Sequence, residues 1–285
     1  GSFERQLPGT LSSFVSGINR GLDLLKDPRV VILDAAGLSA NIGLSNWHDP
    51  TLWNMAKISF SQRYMPIYAD YVCRILAAQL GKSRRCLVLD LDNTLWGGVI
   101  GDDGLEGILI GNAGATAEAH LHIQQTALML RERGVVLAVC SKNEDAIARM
   151  PFKDHPDMLL REEDIAVFQA NWSDKASNIR AISEALSLGL ESIVFLDDNP
   201  AERKQVRDEL PEVAVPELPS DPALYVPILL AAGYFESINF SEEDRNRASL
   251  YQANAKRVQI LNQSSDMNSY LKSLDMEISF RPFDK

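Results

Sequence analysis

Two carboxylates spaced i, i+2, Asp90 and Asp92, follow four apolar residues, Cys86-Leu87-Val88-Leu89. Carboxylates that close repel each other unless something cationic lies between them. Mg²⁺ suits them, because it takes hard oxygen ligands and keeps positions open for phosphate oxygens. An aspartate beside such an ion can attack phosphorus. A second aspartate can serve the leaving group and then water. Three more groups could join this chemistry. Ser141 follows the apolar run 135–140, Asp197-Asp198 follows 192–196, and Lys175 falls in the first turn of a predicted helix. Each has a plainer use. The DxDxT stretch could be a buried strand with a polar turn, Ser141 a helix cap, and Asp197-Asp198 a cap for a helix beginning at Pro200. Lys175 has less excuse, since a cation in a first turn opposes the helix dipole, and phosphate is a good reason for one.

The elements that must position these groups can be read from the pattern. A short run that is apolar throughout suits a central parallel strand buried on both faces. Ligands in open α/β sheets bind just beyond the carboxyl ends of such strands. Asp90 is therefore expected at a strand tip and Asp92 in the loop after it. Helices are predicted over 116–133, from Glu144 towards Met150, and over 174–188, with further strands over 135–140, 165–168 and 192–196. Gly134 and Gly189 stop two of the helices. Strands alternating with helices predict an α/β fold, a doubly wound parallel sheet. Gly97, Gly98, Gly101, Gly104, Gly107 and Gly111 puncture the segment after Thr94, which predicts a glycine-hinged hairpin or flap. The gaps from Thr94 to Ser141 and from Ser141 to Lys175 are too full to hold an independent domain of on the order of 50 residues. The sheet edge is thus expected to be capless, open unless the first 85 residues fold over it.

The flanks divide the chain of 285 residues into an expected section 1–82, a catalytic domain 83–216 and a mainly helical section 217–285. The first section is α/β or helical: 11–25 and 67–80 have helical spacing, while the aromatics Trp47, Trp53, Phe60 and Tyr64 fill an ambiguous stretch. Further helices are expected over 222–232, from Ser241 to about 263 and over 268–274, with a strand over 276–280. A strand so near the end reads as a piece of a longer polypeptide. A net charge of −11 argues against a nucleic-acid surface. Three cysteines without CxxC spacing read as reduced thiols in a cytoplasmic protein, and no apolar run approaches the ~20 residues of a membrane span. His120 and His122, i, i+2 on a helix, make a poor metal pair.

The order Asp90-Leu91-Asp92-Asn93-Thr94, Ser141, Lys175, Asp197-Asp198 resembles the haloacid dehalogenase-like phosphotransferase superfamily over residues 83–215. That resemblance implies Asp90 as phosphoryl-accepting nucleophile and Asp92 as general acid/base. It implies Mg²⁺ held by Asp90, the Asp92 carbonyl and Asp197, with Asp198 in support. Ser141 and Lys175, with Asn93 and Thr94, would bind the phosphoryl group. The longer stretches Leu89 to Gly104, Val139-Cys140-Ser141-Lys142-Asn143 and Phe195 to Arg203 look like the FkbH-like branch found in polyketide biosynthesis. The likeness extends through Asn46-Trp47-His48-Asp49-Pro50 and Ala232-Gly233-Tyr234-Phe235-Glu236. It implies removal of phosphate from 1,3-bisphosphoglycerate and transfer of a D-glyceryl unit to a phosphopantetheinylated acyl carrier protein.

The matching position for that family's thioester cysteine is Cys140. A thiolate can displace an activated acyl phosphate, and the unactivated C3 monoester needs the Mg²⁺–aspartate machinery. Adjacent strand residues point to opposite faces, so Cys140 reaches the site only where the strand breaks. Otherwise it is a small buried hydrophobe. Two other readings are a plain Mg²⁺-dependent phosphatase and a non-catalytic scaffold that binds a carrier protein. A carrier is commonly acidic, so docking on this acidic chain calls for a basic patch, with Lys82, Arg84, Arg85, Arg203 and Lys204 the candidates.

Overall fold

The computed structural model describes residues 7, 9–24, 27 and 30–237, and positions 250, 251, 253, 254 and 257. Of the helix expected over 241–263 only those last positions are described, each of them helical. The segments expected over 268–274 and 276–280 lie outside the described residues. The chain forms two compact units, residues 1–81 and 82–285.

The first unit is helical where described: α1 (Leu11–Asp23), α2 (Ala35–Ile42), α3 (Leu44–Trp47), α4 (Pro50–Ala56) and α5 (Met65–Gln79). Short polar side chains fix where three of them start. Thr10 accepts from the Ser13 N–H, Asp34 from Gly37, and Asp49 from Thr51 and Leu52, pairing N–H groups that a helix cannot satisfy itself. The ambiguous aromatic stretch packs on itself: Trp47 stacks on Phe60 at 4.5 Å and Phe60 meets Tyr68 at 5.0 Å.

The second unit contains the four parallel strands β1 (Cys86–Leu89), β2 (Val136–Ser141), β3 (Ile165–Ala170) and β4 (Ile193–Leu196), in the order β3-β2-β1-β4. Between β1 and β2 run α6 (Ile100–Gly107) and α7 (Ala115–Glu132); α8 (Asp145–Asp154), α9 (Lys175–Leu186), α10 (Pro200–Glu209) and α11 (Tyr225–Ala231) follow. Alternation along each strand sends residues to two cores. Leu87, Leu89, Leu137, Val139 and Leu196 pack with Ile123, Phe152 and Leu229 on one face. Cys86, Val88, Ala138 and Phe195 pack with Ile179, Ile182 and Val206 on the other. A fully buried side chain of this size contributes about 2 kcal/mol. This is the expected doubly wound α/β fold. Among the described residues, no domain interrupts the chain between β1 and β3.

The glycine-rich segment departs from expectation. Its middle forms α6, a short helix, in place of the strands of a hairpin, one of the two expected forms, the other being a flap. Asp103 accepts from the Val99 N–H at 2.7 Å, and Asp102 and Asp103 complement the positive end of the helix. Only the rims pair as strands, Gly97 and Leu109 exchanging hydrogen bonds of 3.0 and 2.8 Å. Gly104, at φ 68°, breaks the helix inside.

Candidate active site

Strand register sets the site. Leu89 pairs with Val139 on one side and with Leu196 on the other. The next residues on the three strands, Asp90, Cys140 and Asp197, therefore stand level and share a face. The Asp90 N–H still joins the ladder, donating to the Leu196 carbonyl at 2.9 Å. Asp90, Asp197 and Asp198 each place a carboxylate oxygen within 4.8 Å of the others.

Lys175 reaches into this acidic cluster from the first position of α9, whose start Asp174 caps through the Ser177 N–H. Only 2% of Lys175 is exposed. Its Nζ donates to Asp90 Oδ1 at 2.5 Å and to the Cys140 carbonyl at 2.8 Å, and lies 3.1 Å from Asp197 Oδ2. The last contact falls outside hydrogen-bond geometry, so Asp197 Oδ2 is buried without a hydrogen-bond partner. Its other oxygen accepts from the Asn199 N–H at 2.8 Å. One ammonium faces three carboxylates, all hard oxygen donors. That donor set, and a buried oxygen that accepts no hydrogen bond, fit a divalent cation such as Mg²⁺.

The electrostatics follow from burial. Desolvation pushes Asp90 up to about 6, with the Lys175 charge pulling the other way. Desolvation, and then the Asp90 charge, lift Asp198 to about 6, and desolvation raises Asp197. For Lys175 burial works against the charge, but Asp90 and Asp197 outweigh it and hold the ammonium above its ordinary value. The ammonium is the fixed charge here and the carboxylates are the groups that titrate.

Asp92 is held separately. Its Oδ1 accepts from Trp96 Nε1 and from the Ile100 N–H, both at 3.0 Å, and its Oδ2 from Asn143 Nδ2 at 2.7 Å. Asn143 Nδ2 also reaches Ser141 Oγ at 3.1 Å, tying the carboxylate to the serine at the tip of β2. Trp96 is locked edge-on against Phe152 at 6.1 Å. Asn93 and Thr94 spend their side chains on the loop. Asn93, left-handed at φ 53°, accepts from the Gly98 N–H at 2.9 Å. Thr94 Oγ1 accepts from the Asp198 N–H at 3.2 Å, joining the loops after β1 and β4. The Thr94 carbonyl lies 2.9 Å from His120 Nδ1, so that nitrogen carries the proton, and burial lowers the pKa of the ring.

Cys140 stands in intact strand. The chain does not break there, yet register already gives Cys140 the face of Asp90. Its thiol is sealed under the first turn of α9, with Sγ 3.8 Å from the Lys175 carbonyl. Burial pushes it up to about 12, against the pull of the Lys175 charge.

Asn143, Trp96 and His120 carry no site role in the sequence reading. Their signals were positional: Asn143 is two residues beyond Ser141, and Trp96 is four beyond Asp92. One candidate of the basic patch, Arg203, needs correction, while Lys82, Arg85 and Lys204 are exposed. Arg203 is buried, its Nη1 donating to the carbonyls of Asp197 and Asp198 at 2.9 and 2.6 Å and its Nη2 to Glu217 at 2.6 Å. It braces the β4 tip and offers nothing to a partner. Arg84 donates to the Glu191 and Glu212 carbonyls, and Lys204 pairs with Asp208. No helix among the described residues is long and apolar enough to cross a membrane.

No family model and no curated protein matches the sequence. Among solved structures, the N-terminal part of a Bacteroides fragilis protein, containing a phosphatase domain and complexed with Mg, aligns at 41% identity and a TM-score of 0.79. The alignment covers 84% of this chain and 64% of that one, so this chain spans less than two thirds of its relative. Two others align too loosely to carry weight. A haloacid dehalogenase family enzyme from Bacteroides thetaiotaomicron, in complex with magnesium and inorganic phosphate, has 14% identity and a TM-score of 0.32, over 47% of this chain and 94% of its own. The 3-deoxy-D-manno-octulosonate 8-phosphate phosphatase of Moraxella catarrhalis has 14% identity and a TM-score of 0.31, over 66% and 97%. Sheet order and the first of these likenesses together give the chain the Rossmann-like α/β fold of haloacid dehalogenase-type phosphatases.

Proposed function

We propose that residues 83–216 are the catalytic domain of an Mg²⁺-dependent phosphatase of the haloacid dehalogenase type. The observation that carries this is the cluster of buried Asp90 and Asp197 and half-buried Asp198 around Lys175, just beyond the tips of β1 and β4, with Asp92 and Ser141 beside it. The Mg-complexed phosphatase-domain relative supports the same reading. Mg²⁺, held by Asp90, Asp197 and Asp198, would offset carboxylate charge and polarise phosphate oxygens. The Asp92 carbonyl is the further ligand that the family resemblance implies. Asp90 attacks phosphorus and the ester P–O bond breaks, while Asp92 gives a proton to the departing oxygen. Asp92 then takes a proton from water, which attacks phosphorus and frees phosphate and Asp90. Ser141 Oγ and Lys175 Nζ hold the phosphoryl oxygens. Asn143 keeps Asp92 and Ser141 in step. Phosphate release from a panel of phosphate esters tests this: it should require Mg²⁺ and stop on chelation. Release that is indifferent to chelation would remove the reading.

A finer reading has one observation behind it. Cys140 stands level with Asp90 on the same sheet face, where the FkbH-like resemblance implies a glyceryl thioester drawn from 1,3-bisphosphoglycerate and passed to an acyl carrier protein. For the thiol to act, the first turn of α9 must lift from Sγ and the thiol must lose its proton, which burial resists. A scaffold that only binds a carrier gives no reason to bury two carboxylates against a lysine. Intact mass after incubation with 1,3-bisphosphoglycerate decides. The wild-type protein should gain a glyceryl or phosphoglyceryl group, Cys140→Ala should not, and added carrier should remove the group. Labelling of the mutant, or a label at Cys73 or Cys86, moves the thioester elsewhere.

A further inference from the structure

Trp172 is 77% exposed, on the four-residue loop between β3 and α9. A lone apolar residue on a surface needs no explanation by itself. This one sits on a loop fixed from both sides by the residues assigned to phosphate. Just before it, the Asn171 N–H donates to the carbonyl of Ser141 at 3.2 Å. Three residues after it comes Lys175, a chain span of at most about 10 Å.

The loop is also held by side-chain hydrogen bonds. Asn171 and Asn178 exchange amide hydrogen bonds of 3.1 and 3.0 Å. The Ser173 N–H returns to Asn171 Oδ1 at 2.9 Å, and Asp174 caps α9 at 2.7 Å. The polar side chains around Trp172 are spent on holding the loop, and the indole is left in water. An aromatic on a loop already held by its own hydrogen bonds has less freedom to lose on binding than one on an unconstrained loop. Its π face is electron-rich, so it suits carbon-bound hydrogens or another ring and not a second anion.

We propose that Trp172 is a specificity-determining residue whose indole packs on the organic part of a phosphorylated substrate while Ser141 and Lys175 hold its phosphate. The inference rests on the phosphatase reading for the position of the phosphate. The substrate class it selects is phosphate esters with a ring or carbon chain next to the ester oxygen.

Phosphonates test it without turnover. Calorimetry of the full chain with Mg²⁺ would compare phenylphosphonate with methylphosphonate. The wild-type protein should bind the phenyl compound about tenfold more tightly, in the range of an aromatic contact. Trp172→Ala should bring the ratio close to one while leaving methylphosphonate affinity unchanged, and Trp172→Phe should keep most of the preference. Equal affinities in the wild-type protein overturn the role of Trp172 and leave the phosphatase reading standing. Equal loss of both ligands in Trp172→Ala makes the residue structural and overturns it too. If the wild-type protein binds neither phosphonate, the phosphate site itself is wrong and the inference falls with it.

Discussion

Asp90→Asn should lower phosphate release by on the order of ten-thousand-fold or more, the scale seen when an enzyme loses its nucleophile. The substitution is nearly isosteric, and an amide oxygen can still accept from Lys175 Nζ, now 2.5 Å from Oδ1. The fold should therefore survive. Two things go together: the oxygen that attacks phosphorus, and one of the three negative charges that would hold Mg²⁺. They separate by titration, since saturating Mg²⁺ can restore occupancy but not a nucleophile. A mutant that regains wild-type turnover at high Mg²⁺ has lost a ligand only, and the covalent step then lies elsewhere. Phosphate release near the wild-type rate at ordinary Mg²⁺ removes Asp90 from the chemistry. Folding is checked by near-ultraviolet dichroism, to which Trp96 beside Asp92 is a close reporter.

The sheet was legible because its signal is local. Cys86 to Leu89 and Ile193 to Leu196 are short apolar runs followed at once by aspartates, and Pro200 starts α10 where the sequence placed it. The groups of the candidate site were legible for the same reason, since Asp90, Asp92, Ser141, Lys175, Asp197 and Asp198 each stand within three residues of a strand tip or helix start. What failed needed particular side-chain hydrogen bonds that no periodic pattern marks. Arg203 looked like a surface cation, but the carbonyls of Asp197 and Asp198, freed as β4 ends, draw the guanidinium inward. Glycine spacing after Thr94 suggests a hairpin or flap, and the segment holds a short helix in which Asp103 accepts from the Val99 N–H. The side chain of Asn143 bridges Asp92 and Ser141, 51 and 2 residues away, and no single-sequence pattern encodes that bridge. For Cys140 the strand stays intact and the thiol is fully buried in the core, the alternative that alternation left open. Register between strands, not within one, decides which residues stand together, and it puts Cys140 on the face of Asp90.

Lys175→Met should destabilise the metal-free protein by about 3–5 kcal/mol at pH 8, the cost of stranding buried charge by removing its partner. For a unit of this size that is on the order of a 10 °C fall in melting temperature. Methionine fills much the same volume, so lost packing is small beside lost charge. The sign of the pH dependence separates the two. Burial already raises Asp90 and Asp198 to about 6, and raises Asp197, with the ammonium present. Without it they rise further. A carboxyl whose folded pKa lies above its unfolded value holds extra protons in the folded state, so stability falls as pH climbs from about 4 through the folded value. The mutant should therefore be close to wild-type stability near pH 4 and fall progressively behind above pH 6. Mg²⁺ at millimolar concentration should narrow the gap at pH 8, since it supplies positive charge to the same oxygens and binds only the folded state. Melting curves across pH, with Mg²⁺ and with a chelator, measure all of this. A deficit that is constant in pH and unmoved by Mg²⁺ means Lys175 is a packing residue, and the charge balance assigned to the cluster is wrong.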